Sequence, residues 1–128
     1  LLIGVNNQYR GRQLATYDAE YRALLAQAIE FAGGVAGRVI VLSIPDWGVT
    51  PFANGRDRAE IARQIDAYNA VNKEITAANG SLYIDITPWT REAASNPALL
   101  AADGLHPSAL EYARWAEKIR DMALPKLR

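Results

Sequence analysis

The segment Arg38-Val39-Ile40-Val41-Leu42-Ser43-Ile44 is a nearly unbroken apolar run of strand length, stopped by Pro45-Asp46-Trp47-Gly48. A strand that is apolar on both faces has no side to turn to water, so it belongs in a parallel sheet covered above and below. The chain on either side supplies that cover. Over residues 16–32, Tyr17, Tyr21, Leu24, Leu25, Ala28, Ile29 and Ala32 recur at helical spacing, with Thr16 as the expected N-cap and Gly33-Gly34 as the stop. Asp57, with Glu60 three residues on, announces a second helix whose stripe is Ile61, Ile65, Tyr68, Val71 and Ile75. Residues 82–86 read as another strand. Ser108 with Glu111 then caps a last helix carrying Tyr112, Ala116, Ile119 and Ala123. Strands alternating with helices give an α/β fold with a parallel sheet and right-handed crossovers.

Size and composition narrow the function classes. At 128 residues and 14.0 kDa the chain is expected to form one domain, residues 1–128. Fourteen basic residues balance fourteen acidic ones, so no basic field attracts nucleic acid. With no cysteine and a single histidine, a thiolate zinc site, a cysteine nucleophile and a multi-histidine metal centre are all excluded. No apolar run approaches the roughly 18 residues of a membrane span. The opening run Leu1-Leu2-Ile3-Gly4-Val5 is apolar and β-prone, with no initiator Met and no polar lead-in. An unpaired hydrophobic strand at a chain start invites aggregation, so this opening suggests a fragment or a processed product. The alternative is a short edge strand in a complete small domain.

In open α/β sheets, ligands bind beyond the carboxyl ends of the strands. Three segments fall there: the loop at Asn6, residues 45–55, and the long loop after Asp85 that reaches His106. In Asp103-Gly104-Leu105-His106-Pro107 the only histidine lies three residues after an aspartate, in a loop that Gly104 tightens and Pro107 stiffens. A carboxylate on Nδ1 fixes an imidazole's tautomer and leaves Nε2 free to take a proton from a nucleophile. The plainer reading is that Asp103 makes loop hydrogen bonds and His106 is a surface residue. In Gly4-Val5-Asn6-Asn7 an asparagine follows a strand directly, where its amide N–H can meet a developing oxyanion; a simple turn is the plainer reading. Asp46, Trp47, Phe52 and Trp89 lie in loops on the same side. The three aromatics either wall a pocket or cap the core, and Asp46 is either a turn residue or a pocket contact. Gly33-Gly34-Val35-Ala36-Gly37 runs from helix to strand, the wrong polarity for a phosphate cradle. Asp85, Asp103 and His106 match no metal motif, and no metal is expected.

Taken together, the two motifs resemble the SGNH (GDSL-type) hydrolase family, with Gly4-Val5-Asn6-Asn7 matching its Gly-x-Asn-Asp element and Asp103-Gly104-Leu105-His106-Pro107 its Asp-x-x-His-Pro element. Asn7 stands where that family usually has Asp, which puts in doubt any loop contact the Asp makes. The resemblance covers essentially the whole chain, as the C-terminal portion of such an enzyme, and implies a three-layer α/β/α flavodoxin-like fold. It implies Asn6 as a side-chain oxyanion donor, His106 as the general base and Asp103 as its orienting carboxylate, with Asn7 beside them in the pocket. The implied reaction is hydrolysis of a small acyl ester, an acetylated sugar or a lipid, through a serine acyl-enzyme, with no metal or organic cofactor. The family's nucleophile sits in an upstream Gly-Asp-Ser motif that this chain lacks. None of Ser43, Ser81, Ser95 and Ser108 falls in a sharp strand-to-helix turn. Two βα units of about 30 residues each would supply what is missing, on an N-terminal segment or a companion chain. The alternative is a non-catalytic α/β domain, derived from such an enzyme, that binds a ligand or partner.

Overall fold

A computed structural model describes residues 1–127. In chain order its regular elements are α1 (Val5–Tyr9), α2 (Leu14–Phe31), β1 (Ile40–Leu42), α3 (Arg58–Ala78), β2 (Leu82–Ile84), α4 (Thr87–Arg91) and α5 (Ala109–Ala123), with short 3-10 turns between them. β1 and β2 pair in parallel, with Ile40 opposite Leu82, Val41 opposite Tyr83 and Leu42 opposite Ile84. Val39 and Ser43 turn their backbone groups to β2, accepting from Leu82 and donating to Ile84. The other edge of β1 is taken by the chain start: the Leu1 amine donates to the Ile40 carbonyl at 2.7 Å, and the Leu1 carbonyl accepts from Leu42 at 2.9 Å. The expected first strand is therefore reduced to this single paired residue, and the chain turns into α1 at Val5.

Side chains leave the sheet alternately, and this makes three layers. Val39, Val41 and Tyr83 point to one face, into a core with Tyr17, Tyr21 and Leu25 of α2 and Ile61, Ile65, Tyr68 and Ile75 of α3. Ile40, Leu42 and Ile84 point to the other, against Trp115, Ile119 and Met122 of α5. Each fully buried aliphatic side chain contributes about 1.5–3 kcal/mol relative to exposure. Polar groups are threaded through the first core, each with a partner. Asn72 donates to the Tyr17 hydroxyl and accepts from that of Tyr83, while the Tyr21 hydroxyl bonds Thr76. Burial raises the pKa of the Tyr17 and Tyr83 hydroxyls, keeping both neutral. Asn69 of α3 accepts from the Ile44 N–H and donates to the Thr87 hydroxyl, holding the end of β1 to the start of α4.

Local signals place most elements. Asp57 accepts from the Glu60 N–H at 3.0 Å and Ser108 from the Glu111 N–H at 3.4 Å, as capping predicts. The first long helix starts three residues early, with Gln13 rather than Thr16 at its N-cap. The last helix is rotated from the expected stripe. Its buried line holds Glu111 and Trp115, while Tyr112 is half exposed. The expected polar loop at Asn6-Asn7-Gln8 is instead α1, because Gln8 is buried in two side-chain hydrogen bonds.

Candidate functional site

Asp103 and His106 sit in a hairpin-like loop closed by backbone bonds from Ala101 to the His106 carbonyl (2.8 Å) and from Ser108 to the Leu99 carbonyl (2.8 Å). Gly104, with φ +65°, makes the tight turn between them. One carboxylate oxygen of Asp103 accepts from the backbone N–H groups of both Leu105 and His106, at 3.0 Å each. The other meets Nδ1 of His106 at 2.5 Å. The His106 bond, followed by those two N–H groups, holds the Asp103 carboxyl down to about 2. An ionised carboxylate only accepts, so Nδ1 carries the ring proton and the neutral imidazole has its lone pair on Nε2. Both side chains remain open to solvent, Asp103 by 50% and His106 by 67%.

Asn6 reaches the same place from the other end of the chain. Gly4 caps α1 with φ +130°, and a Cβ there would lie 2.7 Å from the Tyr17 ring, so only glycine lets the chain turn this closely over α2. Within α1, Gln8 accepts from the Trp47 indole N–H at 2.7 Å and donates to Gln64 at 2.8 Å, fixing α1 against residues 47–49 and α3. Asn6 is exposed, and among the described residues its side chain has no hydrogen-bond partner.

A cavity of about 240 Å³ opens between these elements, and both Asn6 and His106 line it. Asp46, Trp47 and Phe52 also line it, whereas Asn7 and Trp89 do not. Asn7 donates to Glu20 at 2.8 Å on the surface, and Trp89 packs in the core beneath the Arg114 guanidinium. Asp46 is buried and committed. It accepts from the Gly48 N–H at 2.9 Å and from Arg91 at 2.8 Å, so it shapes the loop. Trp47, Phe52 and Tyr9 form an aromatic group with ring centroids 5.3–6.1 Å apart. Phe52 donates its backbone N–H to the Gly104 carbonyl, which joins this group to the Asp103–His106 loop.

Sequence reasoning passed over Gln8 and Glu111. Gln8 lies in an apparently polar loop, and nothing local marks it as buried. Glu111 was read only as a capping partner, yet it is buried, accepting from the Trp115 indole at 2.8 Å and from Arg114 at 3.0 Å. The serines lie elsewhere: Ser43 is buried, donating to Asp85 and accepting from Ile86 and Thr87, and Ser108 caps α5. Among the described residues no cluster of three or more His, Asp or Glu is arranged to hold a metal, and no helix is long and apolar enough to cross a membrane.

A family model described as the GDSL-like lipase/acylhydrolase family matches residues 1–114. Among solved structures the chain is similar to Axe2, an acetylxylan esterase from Geobacillus stearothermophilus, with a TM-score of 0.63 and 24% identity over 96% of this chain and 57% of that one. A tryptophan-to-isoleucine variant of Axe2, an acetyl-xylooligosaccharide esterase, gives the same values. A second such variant gives a TM-score of 0.61 at 23% identity. At this identity the likeness is one of fold, and the chain spans little more than half the length of these esterases. No curated protein sequence matches it.

Proposed function

The chain belongs to the GDSL-like lipase/acylhydrolase family, and from that premise we propose that it is the C-terminal portion of one carboxylic ester hydrolase domain, supplying the histidine and aspartate of a serine triad and one side-chain oxyanion donor, but not the serine. The single observation that carries the reading is the junction of two distant motifs. His106, tautomerically set by Asp103, lines one cavity with Asn6, whose side chain has no hydrogen-bond partner among the described residues.

The chemistry follows from those groups. Nε2 of His106 takes the proton of a serine hydroxyl carried on a segment that precedes residue 1 or on a companion chain. The serine oxygen attacks the acyl carbon, and the carbonyl electron pair moves onto oxygen. The Asn6 amide N–H donates to that oxyanion, an interaction of about 3–4 kcal/mol in comparable sites. As the tetrahedral species collapses, His106 returns its proton to the departing alcohol. A water then repeats the sequence on the acyl-serine and releases the acid. Asp103 stays ionised throughout and balances the imidazolium.

The test uses the protein expressed from its complete gene. It should hydrolyse p-nitrophenyl acetate, and His106→Ala should lower kcat on the order of 10⁴-fold with an unchanged circular dichroism spectrum. Equal turnover by the folded variant removes the assignment.

A further inference from the structure

Two arginines of this protein rest on aromatic rings, and they differ in what meets their donors. The Arg114 guanidinium lies 5.6 Å over Trp89 and is answered by carboxylates: its two terminal nitrogens donate to Glu92 at 3.0 Å each, and one of them also reaches Glu111. Arg56 lies 5.2 Å over Tyr9 and 5.4 Å over Trp47, in the corner of two rings that meet at 73°. Its guanidinium finds one acceptor among the described residues, the Tyr9 hydroxyl at 3.4 Å, and no carboxylate among them lies within salt-bridge reach. The acids close to it in the chain are committed: Asp57 caps α3, and Glu60 accepts from Arg63 and Gln64. Arg58 is committed too, donating to the Gly48 carbonyl and to Asn54. Arg56 is left as an exposed charge with no counter-ion from the protein.

Its place gives that charge a use. Tyr9 and Trp47 line the cavity that holds Asn6 and His106, whereas Arg56 does not, so its donors lie just past the aromatic wall. The loop that carries it is anchored by the fully buried Ala53 and by the Phe52 N–H, which donates to the Gly104 carbonyl at 3.3 Å. A guanidinium is a planar fork of N–H donors that matches the two oxygens of a carboxylate. Two rings already restrict this one, so it has less side-chain freedom to lose when an anion pairs with it. We propose that Arg56 binds a carboxylate on the substrate, carried by the portion that leaves the cavity past the Tyr9–Trp47 wall, so that the protein prefers anionic esters. The inference rests on the ester-hydrolase reading for its reaction, though not for its binding.

The experiment gives the protein from its complete gene two charged esters, each with a neutral partner. 4-Acetoxybenzoate and its methyl ester place the carboxylate on the departing alcohol; mono-p-nitrophenyl glutarate and its methyl ester place it on the acid. In at least one pair the anionic-to-neutral ratio of kcat/KM should fall on the order of tenfold in Arg56→Ala, as loss of a charge-assisted paired contact implies, and the pair that responds tells which side of the ester faces Arg56. Arg56→Lys, which keeps the charge without the fork, should retain part of the ratio, and added salt should lower it in the unsubstituted protein. A ratio indifferent to Arg56 in both pairs overturns the proposal, including the case where charged and neutral esters slow together because the aromatic wall has loosened. If no ester is turned over, NMR still decides it: the Arg56 Nε–H signal, assigned by its loss in Arg56→Lys, is followed during titration with 4-acetoxybenzoate and with its methyl ester. A saturable shift with the carboxylate alone upholds the anion site while the hydrolase reading falls, and no shift, or the same shift with both, overturns the site.

Discussion

Gly4→Ala should be among the most damaging single-methyl additions available to this protein, and its cost has two separable parts. At φ +130° an alanine is strained by about 1–3 kcal/mol. Its Cβ would also lie 2.7 Å from both Cε2 and the hydroxyl of Tyr17. That ring has no easy way to yield. It is 2% exposed, stacks on Tyr68 with centroids 4.5 Å apart, donates to the Ile3 carbonyl at 3.0 Å and accepts from Asn72 at 3.2 Å. Overpacking against a fixed neighbour adds about 1–3 kcal/mol, for a total of about 2–6 kcal/mol. Urea denaturation of the intact protein, followed by far-UV circular dichroism, reads this directly. Thermal melting should fall by about 4 °C per kcal/mol. Tyr17→Leu removes the obstructing ring, so in that background Gly4→Ala should cost only its backbone strain. The double-mutant cycle then shows a coupling of about 1–3 kcal/mol. Additivity to within about 0.5 kcal/mol, or a Gly4→Ala cost below about 1 kcal/mol, would refute the argument that close approach to Tyr17 dictates glycine here.

Three further perturbations address the site and its supports. Asn6→Ala should lower kcat for ester hydrolysis by roughly 10²–10³-fold with little effect on stability, measured on the protein from its complete gene; an unchanged rate makes Asn6 a helix residue only. Because its carboxyl is held at about 2, Asp103 should still be ionised at pH 3 by carbon-13 NMR. Its folded-state value lies below the ordinary 3.8, so its stabilisation of the loop is complete above that ordinary value and is lost as pH falls through about 2. His106→Ala should move the titration upward, and a midpoint unchanged by that variant would mean the imidazole does not hold the carboxylate. Glu111→Ala strands the buried Trp115 indole N–H and should cost about 2–3 kcal/mol in urea denaturation, whereas Glu111→Gln, which keeps an acceptor, should cost about half as much; equal losses would show that the hydrogen bond is not what matters.

How much was legible in the sequence depends on how local each cause is. The caps at Asp57 and Ser108, and the α3 stripe of Ile61, Ile65, Tyr68 and Ile75, depend on neighbours three or four residues away, and spacing exposes them. The runs at 38–44 and 82–86 announce strands, but only three residues of each are regular, since beyond them the chain bends toward side-chain partners such as Asn69 and Ser43. α1 was hidden because its cause is distant: Gln8 is buried only through Trp47 and Gln64. The phase of α5 was hidden for a related reason. Glu111 reads as a solvent residue until Trp115 and Arg114 satisfy it, and counting it as buried rotates the helix face. At the site, the Asp103–His106 spacing is local and readable. Its company with Asn6, nearly 100 positions away, emerges from the topology, as does the commitment of Asp46 to Arg91.

The central claim is that this chain provides the proton-transfer half of a serine esterase whose nucleophile lies outside residues 1–128. Labelling the protein from its complete gene with a fluorophosphonate, then mapping the adduct by peptide mass spectrometry, tests it most directly. The account predicts one adduct, on a serine upstream of residue 1 or on a companion chain, and its loss in His106→Ala. An adduct on Ser43, Ser81, Ser95 or Ser108, or labelling that is indifferent to His106, would contradict it.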